Sequence, residues 1–342
     1  MSIYRKILVG VRETPTSAVA LTAATQLAGR LGSELVALYV SDGNGPPSSG
    51  VLESAERTAA EHGVPIEVEH RRGDTADTIM ATAAELHADL LLIGDHGMGE
   101  ARRFTLGGIP DQVAHHSPID ILVVRTTRRD RPPLPYRNVL IGVDGSFTAN
   151  QAAARGSDLA AAMGARTTLV YVGDPLIGDI VLRDTAARLG SVDIGREVRK
   201  GNPAAEIARQ ATTGGHDLIV IGNKGMVGSA RYLRRVVPNQ LAHKGPVDTL
   251  IAKTVGRSLD DLRPGEGGVV EVDGDRVAAF IDNDGTRYTL SARCQHLGCT
   301  VGWNSRARTW DCPCHGSRYD HTGGVLVGPT TKPLPPIDLP PL

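Results

Sequence analysis

IPDQVAHHSPIDILVVR, residues 109–125, returns later in the chain as VPNQLAHKGPVDTLIAK, residues 237–253. Working outward from this pair, ILVGV at 7–11 returns as VLIGV at 139–143, and the match runs without a gap to LYV at 38–40 and VYV at 170–172. A repeating unit of this length exceeds any solenoid repeat, so the chain carries two similar domains in tandem. Within each unit, short β-branched runs such as Ile7 to Val11, Leu35 to Val40 and Leu90 to Ile93 alternate with Ala-rich segments. In the first of those segments Ala20, Ala24, Leu27 and Leu31 fall on one helical face. Continuous apolar strands between amphipathic helices predict an α/β fold, a parallel sheet covered on both sides. The low aromatic content, 4%, suits packing of Ala, Leu and Val between helix and sheet.

The order of these features resembles the universal stress protein family, whose members have a Rossmann-like α/β fold and in some cases bind ATP. The resemblance covers residues 3 to 127 and 136 to 254. The family's nucleotide loop has a Gly, two residues, a Gly, nine residues, then Gly with Ser or Thr, and an acidic residue ends the first strand. Glycines after a strand let backbone N–H groups approach phosphates, and the next helix N-terminus adds a favourable dipole. In the first repeat Gly94, Gly97 and Gly107 are correctly spaced, but Gly108 stands at the Ser/Thr position and Arg12 at the acidic one. Asp95 places a negative charge in the loop, where it is expected to repel an unneutralised triphosphate. In the second, Asp144, Gly222, Asn223, Lys224 and Gly225 follow the pattern, while Arg235 and Val236 occupy its last two positions. Val172 would then offer its backbone to adenine. The alternative is that the glycines only turn the chain between strand and helix. Such proteins commonly dimerise through their last strand, here Ile119 to Val124 or Val247 to Ala252, which two repeats can satisfy between chains, as a homodimer, or within one chain, as a pseudo-dimer.

After residue 267 the pattern changes. VVEVDGDRVAAFIDNDGTRYTLSARC reads as alternating strands with turns at Asp273-Gly274 and Asp284-Gly285, a small antiparallel β domain. It carries two half-sites, Cys294-Gln-His296-Leu-Gly-Cys299 and Cys312-Pro-Cys314-His315-Gly-Ser317-Arg-Tyr319, separated by a hairpin-length segment with Trp303 and Trp310. Each half offers thiolate and imidazole donors, and a [2Fe-2S] rhombus needs two protein ligands per iron. A zinc knuckle fits poorly, because one residue separates Cys312 from Cys314. Together the half-sites resemble the Rieske signature of the cytochrome bc type. That resemblance implies a [2Fe-2S] cluster with Cys294 and Cys312 on one iron and His296 and His315 on the other, and a potential of roughly −150 to +300 mV. It further implies a Cys299–Cys314 disulfide, hydrogen bonds from Ser317 and Tyr319 to cluster sulfurs, and a shielding loop around Gly328, Pro329 and Pro333.

The chain has 342 residues and a net charge of −1, which argues against nucleic acid as a main partner. The basic run Arg125 to Arg131 contains or adjoins prolines and reads as a linker. The expected organisation is a first stress-protein domain at 1–128, a linker at 129–135, a second domain at 136–254, a linker at 255–264 and the Rieske domain at 265–342. No stretch approaches a membrane span and the start reads as a first strand, so the expected location is the cytoplasm, with no membrane partner. His115, His116 and His243 lie on helices without acidic or Cys partners at ligand spacing, so a metal site there is not expected.

These readings lead to a soluble stress-related protein in which a Rieske cluster carries or senses single electrons and the α/β pair serves dimerisation or nucleotide regulation. The alternative is an ATP-binding or adenylate-sensing protein whose cluster is mainly structural. The redox partner is unidentified; any flavin would come from a partner flavoprotein, because no Gly-x-Gly-x-x-Gly fingerprint precedes the β domain. An oxygenase would need a facial triad on a further domain, and no nucleophile, base and acid assemble from local motifs.

Overall fold

The computed structural model describes residues 3–41, 49–95, 109–117, 119–126, 134–190, 193–223, 236–253, 259, 262–272, 275–296, 298, 300–304, 307–312 and 316–338. The chain divides into two compact units, Met1–Thr254 and Val255–Leu342.

In the first unit, one repeat runs β1 (Lys6–Gly10), α1 (Pro15–Leu31), β2 (Glu34–Ser41), α2 (Ser49–Glu61), β3 (Glu67–Arg72), α3 (Thr75–Glu85), β4 (Leu90–Gly94), α4 (Ile109–His116) and β5 (Asp120–Val124). The second repeats it as β6 (Asn138–Gly142), α5 (Phe147–Met163), β7 (Arg166–Val172), α6 (Pro175–Leu189), β8 (Ile194–Arg199), α7 (Pro203–Thr213), β9 (Leu218–Gly222), α8 (Val237–Lys244) and β10 (Asp248–Ala252). Helix starts follow local chemistry. Thr14 caps α1 by accepting from the Ser17 N–H at 3.2 Å, Asp74 caps α3, and Pro15, Pro175 and Pro203 supply donor-free first turns. The expected apolar face of α1 is buried at Ala20, Ala24 and Leu27, with Leu31 half-buried at its end.

All ten strands form one sheet, in the order β3-β2-β1-β4-β5-β10-β9-β6-β7-β8. Pairing is parallel within each repeat and antiparallel only where they meet, with Ile121 opposite Ile251 and Leu122 opposite Leu250. The last-strand contact expected from the sequence is therefore made within the chain. Alternate strand residues feed cores on opposite faces, Ile7, Val9 and Ile141 on one and Leu8, Leu140 and Ile219 on the other, and both cores run through the join. This is why the strands read as unbroken apolar runs.

The join also carries buried polar groups, matched between repeats. Asp120 accepts from the Tyr4 hydroxyl (2.8 Å) and the Lys253 backbone N–H (2.7 Å), and Asp248 accepts from the Tyr136 hydroxyl (2.8 Å) and the Arg125 backbone N–H (2.8 Å). Arg155 adds an ion pair to Asp120. The side chains of Arg125 and Lys253 reach into the opposite repeat: Arg125 donates to the carbonyls of Val247 and Leu241, and Lys253 Nζ donates to the Ala114 carbonyl at 2.6 Å. Burial pulls Lys253 down to about 8, against the opposing pull of Asp120.

The second unit is antiparallel. β11 (Gly267–Val272), β12 (Asp275–Ile281) and β13 (Arg287–Ser291) form one sheet, and β14 (Gly302–Asn304), β15 (Thr309–Asp311), β16 (Arg318–Asp320) and β17 (Val325–Val327) another. The turn at Asp284-Gly285 closes β12 to β13, with Gly285 at φ 88° and its N–H on the Asp282 carbonyl. The Asp273-Gly274 turn lies outside the described residues. Leu262, expected in the tether, is instead buried with Val270, Val277, Ala279 and Ile281. Its polar, Pro- and Gly-rich neighbours concealed one apolar anchor. Trp310, Tyr319, Phe280 and Cys294 share a second small core.

Candidate cluster site and nucleotide edges

Two loops of the second unit bring the half-sites together. The first follows β13, and a Gly298 N–H to Cys294 carbonyl bond at 2.9 Å closes it, with Gly298 at φ 74°. The second follows β15: the Gly316 N–H bonds the Cys312 carbonyl at 3.1 Å, Gly316 lies at φ 77°, and the Cys312 N–H returns to the Ser317 carbonyl at 2.7 Å. Both bends need the left-handed region that glycine enters without strain.

Cys294 and Cys312 are buried thiols outside any disulfide among the described residues, 2% and 3% exposed, whereas His296 stands in solvent. The Tyr319 hydroxyl is fully buried with its ring; it donates to Cys294 Sγ at 3.1 Å and accepts from the Gln295 N–H at 3.1 Å. Burial pushes the Cys294 thiol up, but hydrogen bonds from Tyr319, the His296 backbone, Cys312 and Ser317 outweigh it and hold the group below its ordinary range. Donors converging on a buried sulfur stabilise a thiolate, the form that ligates iron. Soft sulfur donors inside and an imidazole at the surface fit a [2Fe-2S] group whose histidine edge meets solvent. A segment with Gly328, Pro329 and Pro333 is tied to this site, because the Thr330 N–H donates to Ser317 Oγ at 3.2 Å.

His315, Cys299 and Cys314 lie outside the described residues, so the second imidazole and the Cys299–Cys314 pairing do too. No disulfide joins cysteines among the described residues. Sequence singled out the hydroxyls of Ser317 and Tyr319. It missed the His296 and Gln295 backbone N–H groups, because every residue has one and only the loop path aims it.

The nucleotide positions occupy the carboxyl ends of the strands. Asp144 is exposed after β6 and accepts from the Ser146 N–H at 2.9 Å; Val172 ends β7, half-buried; Gly222 ends β9. They flank the point where strand order reverses, between β6 and β9, where doubly wound sheets bind ligands. Gly222 also has a packing reason: a Cβ there would stand 2.5 Å from the Thr148 carbonyl oxygen, at the first turn of α5. Gly94 ends β4, where a Cβ would stand 3.0 Å from Thr126 Cγ2. Gly97, Gly107, Gly108 and Gly225 lie outside the described residues. Asp95 corrects the sequence expectation. Its carboxylate accepts from the Thr126 N–H (2.9 Å) and hydroxyl (2.6 Å) and pairs with Arg125 at 3.5 Å, so its charge is neutralised within the body. The neutralising cation sits 30 residues downstream, at the end of β5, and no local pattern announces it.

Fold and site together define a duplicated, doubly wound α/β body joined to a β module built for an iron–sulfur cluster. A family model described as the universal stress protein family matches residues 3–125, 135–182 and 177–253, and one described as the Rieske [2Fe-2S] domain matches residues 253–338. The chain belongs to the universal stress protein family and carries a Rieske domain, whose cofactor is a [2Fe-2S] cluster, at its C-terminal end. A universal stress protein from Archaeoglobus fulgidus shares the fold of the body at a TM-score of 0.60 and 16% identity, over 72% of this chain and 98% of that one. The Rieske segment is 50% identical over 81 residues to YhfW of Bacillus subtilis, a protein whose name places it among Rieske 2Fe-2S iron-sulfur proteins; the match covers 24% of this chain and 16% of YhfW. It is 42% identical over 83 residues to the cytochrome b6-f complex iron-sulfur subunit 2 of the Cyanophora paradoxa cyanelle, covering 23% of this chain and 34% of that subunit. These relatives are thus shared only in a minor part of their length. Among the described residues no helix is long and apolar enough to cross a membrane.

Proposed function

We propose that the C-terminal domain carries single electrons between redox partners, with Cys294, His296, Cys312 and His315 as the cluster ligands, while the stress-protein body regulates or docks that traffic. The observation that carries this reading is the set of donors on Cys294 Sγ beside a solvent-facing His296. When bound, the cluster supplies storage for one electron. Tyr319 and Ser317 hold the sulfur side against added negative charge, and burial of both thiols keeps water from them. His296 presents the edge to a partner protein, a flavoprotein being one suitable class of one-electron donor. The Cys299–Cys314 bridge belongs to this reading as a brace between the two ligand loops. Iron and acid-labile sulfide assays on anaerobically purified protein, with EPR after dithionite, test it. A rhombic Rieske signal with two irons per chain is expected; absence of both iron and signal would overturn it.

A second reading is adenylate binding at the second repeat, with the cluster mainly structural. Asp144, Val172 and Gly222 favour it by flanking the strand-reversal crevice together. ATP titration of the full chain and of Asp144→Ala decides this: binding weakened in the variant supports it, and no binding at millimolar ATP removes it. The midpoint potential with and without ATP then measures whether body and head are coupled.

A further inference from the structure

A charge pair closes the base of the second ligand loop. Asp311 ends β15 and Arg318 begins β16, and the two lie directly opposite in the strand register. Between them run residues 312–317, which include Cys312, His315 and Ser317. The Arg318 guanidinium meets the Asp311 carboxylate as a fork: Nε donates to Oδ1 at 2.8 Å and Nη2 to Oδ2 at 3.2 Å. Two further donors come from the same sheet, the Thr309 hydroxyl on Oδ1 at 2.8 Å and Asn304 Nδ2 on Oδ2 at 2.9 Å. Asn304 is itself oriented, because its Oδ1 accepts from the Ala307 N–H at 3.1 Å. Each carboxylate oxygen thus holds one guanidinium bond and one bond from a neutral donor. A planar fork fixes angle as well as distance, which a lysine ammonium cannot do.

Isolated surface ion pairs usually contribute little. This pair is half-buried, Arg318 44% and Asp311 30% exposed, and its position gives it a consequence. Asp311 immediately precedes Cys312, and Arg318 immediately follows Ser317. The Cys312 N–H bonds the Ser317 carbonyl at 2.7 Å one step further into the loop, so the fork and this backbone bond hold the same two chain ends. The potential of an iron–sulfur centre follows the charge around it. An uncancelled carboxylate beside Cys312 would oppose the arrival of an electron, and an uncancelled guanidinium would favour it.

We propose that Arg318 is a positioning residue for the electron-transfer site. Its fork on Asp311 latches the two ends of the ligand loop, and its charge keeps the potential above the value that the carboxylate alone would impose. The latch rests on the reading of Cys312 and His315 as cluster ligands. It is distinct from the bond made by Tyr319, the next residue along β16, which acts on Cys294 instead.

The test uses the cluster-loaded full chain at neutral pH. EPR verifies loading, protein-film voltammetry reads the midpoint potential, and iron release to a ferrous chelator reads how firmly the loop holds. Arg318→Gln leaves the carboxylate uncancelled, so the potential should fall and reduction become several-fold less favourable. Asp311→Asn leaves the guanidinium uncancelled and should shift the potential the opposite way. The double variant Asp311→Asn/Arg318→Gln should return close to the unsubstituted potential. Arg318→Lys keeps the charge and loses the fork; its potential should stay near that of the unsubstituted chain while iron release speeds several-fold. A merely structural pair gives another pattern, with both single variants shifted the same way and the double variant no nearer the start than either. That pattern overturns the proposal, as do unmoved potentials in both single variants or an unchanged rate of iron release from Arg318→Lys. Should Arg318→Gln fail to hold its cluster, the nearly isosteric Asp311→Asn decides: a raised potential supports the latch, and an unchanged or lowered one overturns it. An unsubstituted chain with no Rieske signal overturns the cluster assignment itself, and a loaded chain whose variants lack these shifts overturns the latch alone.

Discussion

The body and the head bury polar groups in opposite ways. In the body each buried carboxylate at the join is satisfied across the repeats: Asp120 by Tyr4, Arg155 and the Lys253 backbone, and Asp248 by Tyr136 and the Arg125 backbone. In the head the buried donors converge on Cys294 Sγ, and among the described residues the indole N–H groups of Trp303 and Trp310 find no acceptor. At the join, then, the body's buried carboxylates are answered by groups of the polypeptide itself. Below roughly 70–80 residues a single core rarely supplies more than about 3–5 kcal/mol, and the head, Val255–Leu342, is only slightly larger; donors converging on a buried sulfur suit a domain that carries a [2Fe-2S] cluster.

The largest effect that would break this contrast comes from Cys294→Ser. Complete loss of the EPR signal is expected, with collapse of the head's melting transition and no change in the body's, followed by calorimetry on the full chain. A body transition that fell with the head would refute the independence of the two units. Next, Asp120→Ala removes the acceptor for a buried ion pair and two hydrogen bonds, and breaking such a pair costs about 3–5 kcal/mol. Urea unfolding should show that loss in the body and leave the head's iron content intact.

A smaller effect follows from Lys253. Its folded value of about 8 lies below its ordinary 10.5, so between these pH values the unfolded chain binds more protons than the folded one. Body stability should therefore rise as pH rises from 8 toward 10, by on the order of 2 kcal/mol at most. Above pH 10 Tyr4 acts with the opposite sign, since burial and Asp120 raise it. Urea midpoints across pH 7–10 should slope upward in the unsubstituted chain and flatten in Lys253→Met. The smallest effect sharpens the account of the head. Tyr319→Phe removes one donor to Cys294; if that bond is stronger by ~1 kcal/mol in the reduced state, the potential drops by about 40 mV in protein-film voltammetry.

The body was largely legible in the sequence because a strand buried on both faces needs only to be apolar; Leu90 to Ile93 and Leu218 to Ile221 read without any decision about period. The duplication made the join legible as an alternative, since β5 and β10 are the same strand twice. The polar groups at its ends were less so. Asp120 and Asp248 recur at equivalent places, which was a usable signal, but their partners come from 116 and 112 residues away for Tyr4 and Tyr136. In the head, the Rieske domain was legible because cluster chemistry restricts both the residue types and the spacing of the Cys and His half-sites. The surroundings of the indoles were not: the letters Trp303 and Trp310 specify a hydrogen-bond donor, and only the packed structure shows that no acceptor among the described residues faces it.

The antiparallel seam between β5 and β10 bears on how such a chain can diverge. When two identical subunits meet about a two-fold axis, every residue is constrained twice over, because one codon writes both sides of the contact. Placing both sides on one polypeptide removes that bond between them. Arg125 and Lys253 occupy matching places and have parted; so have Asp95, locked to Arg125, and Asn223 at the corresponding loop. The seam also sets the strands of the two repeats running in opposite directions, so their carboxyl ends open on opposite rims of the sheet. Each rim is thus free to keep or abandon a ligand without consulting the other.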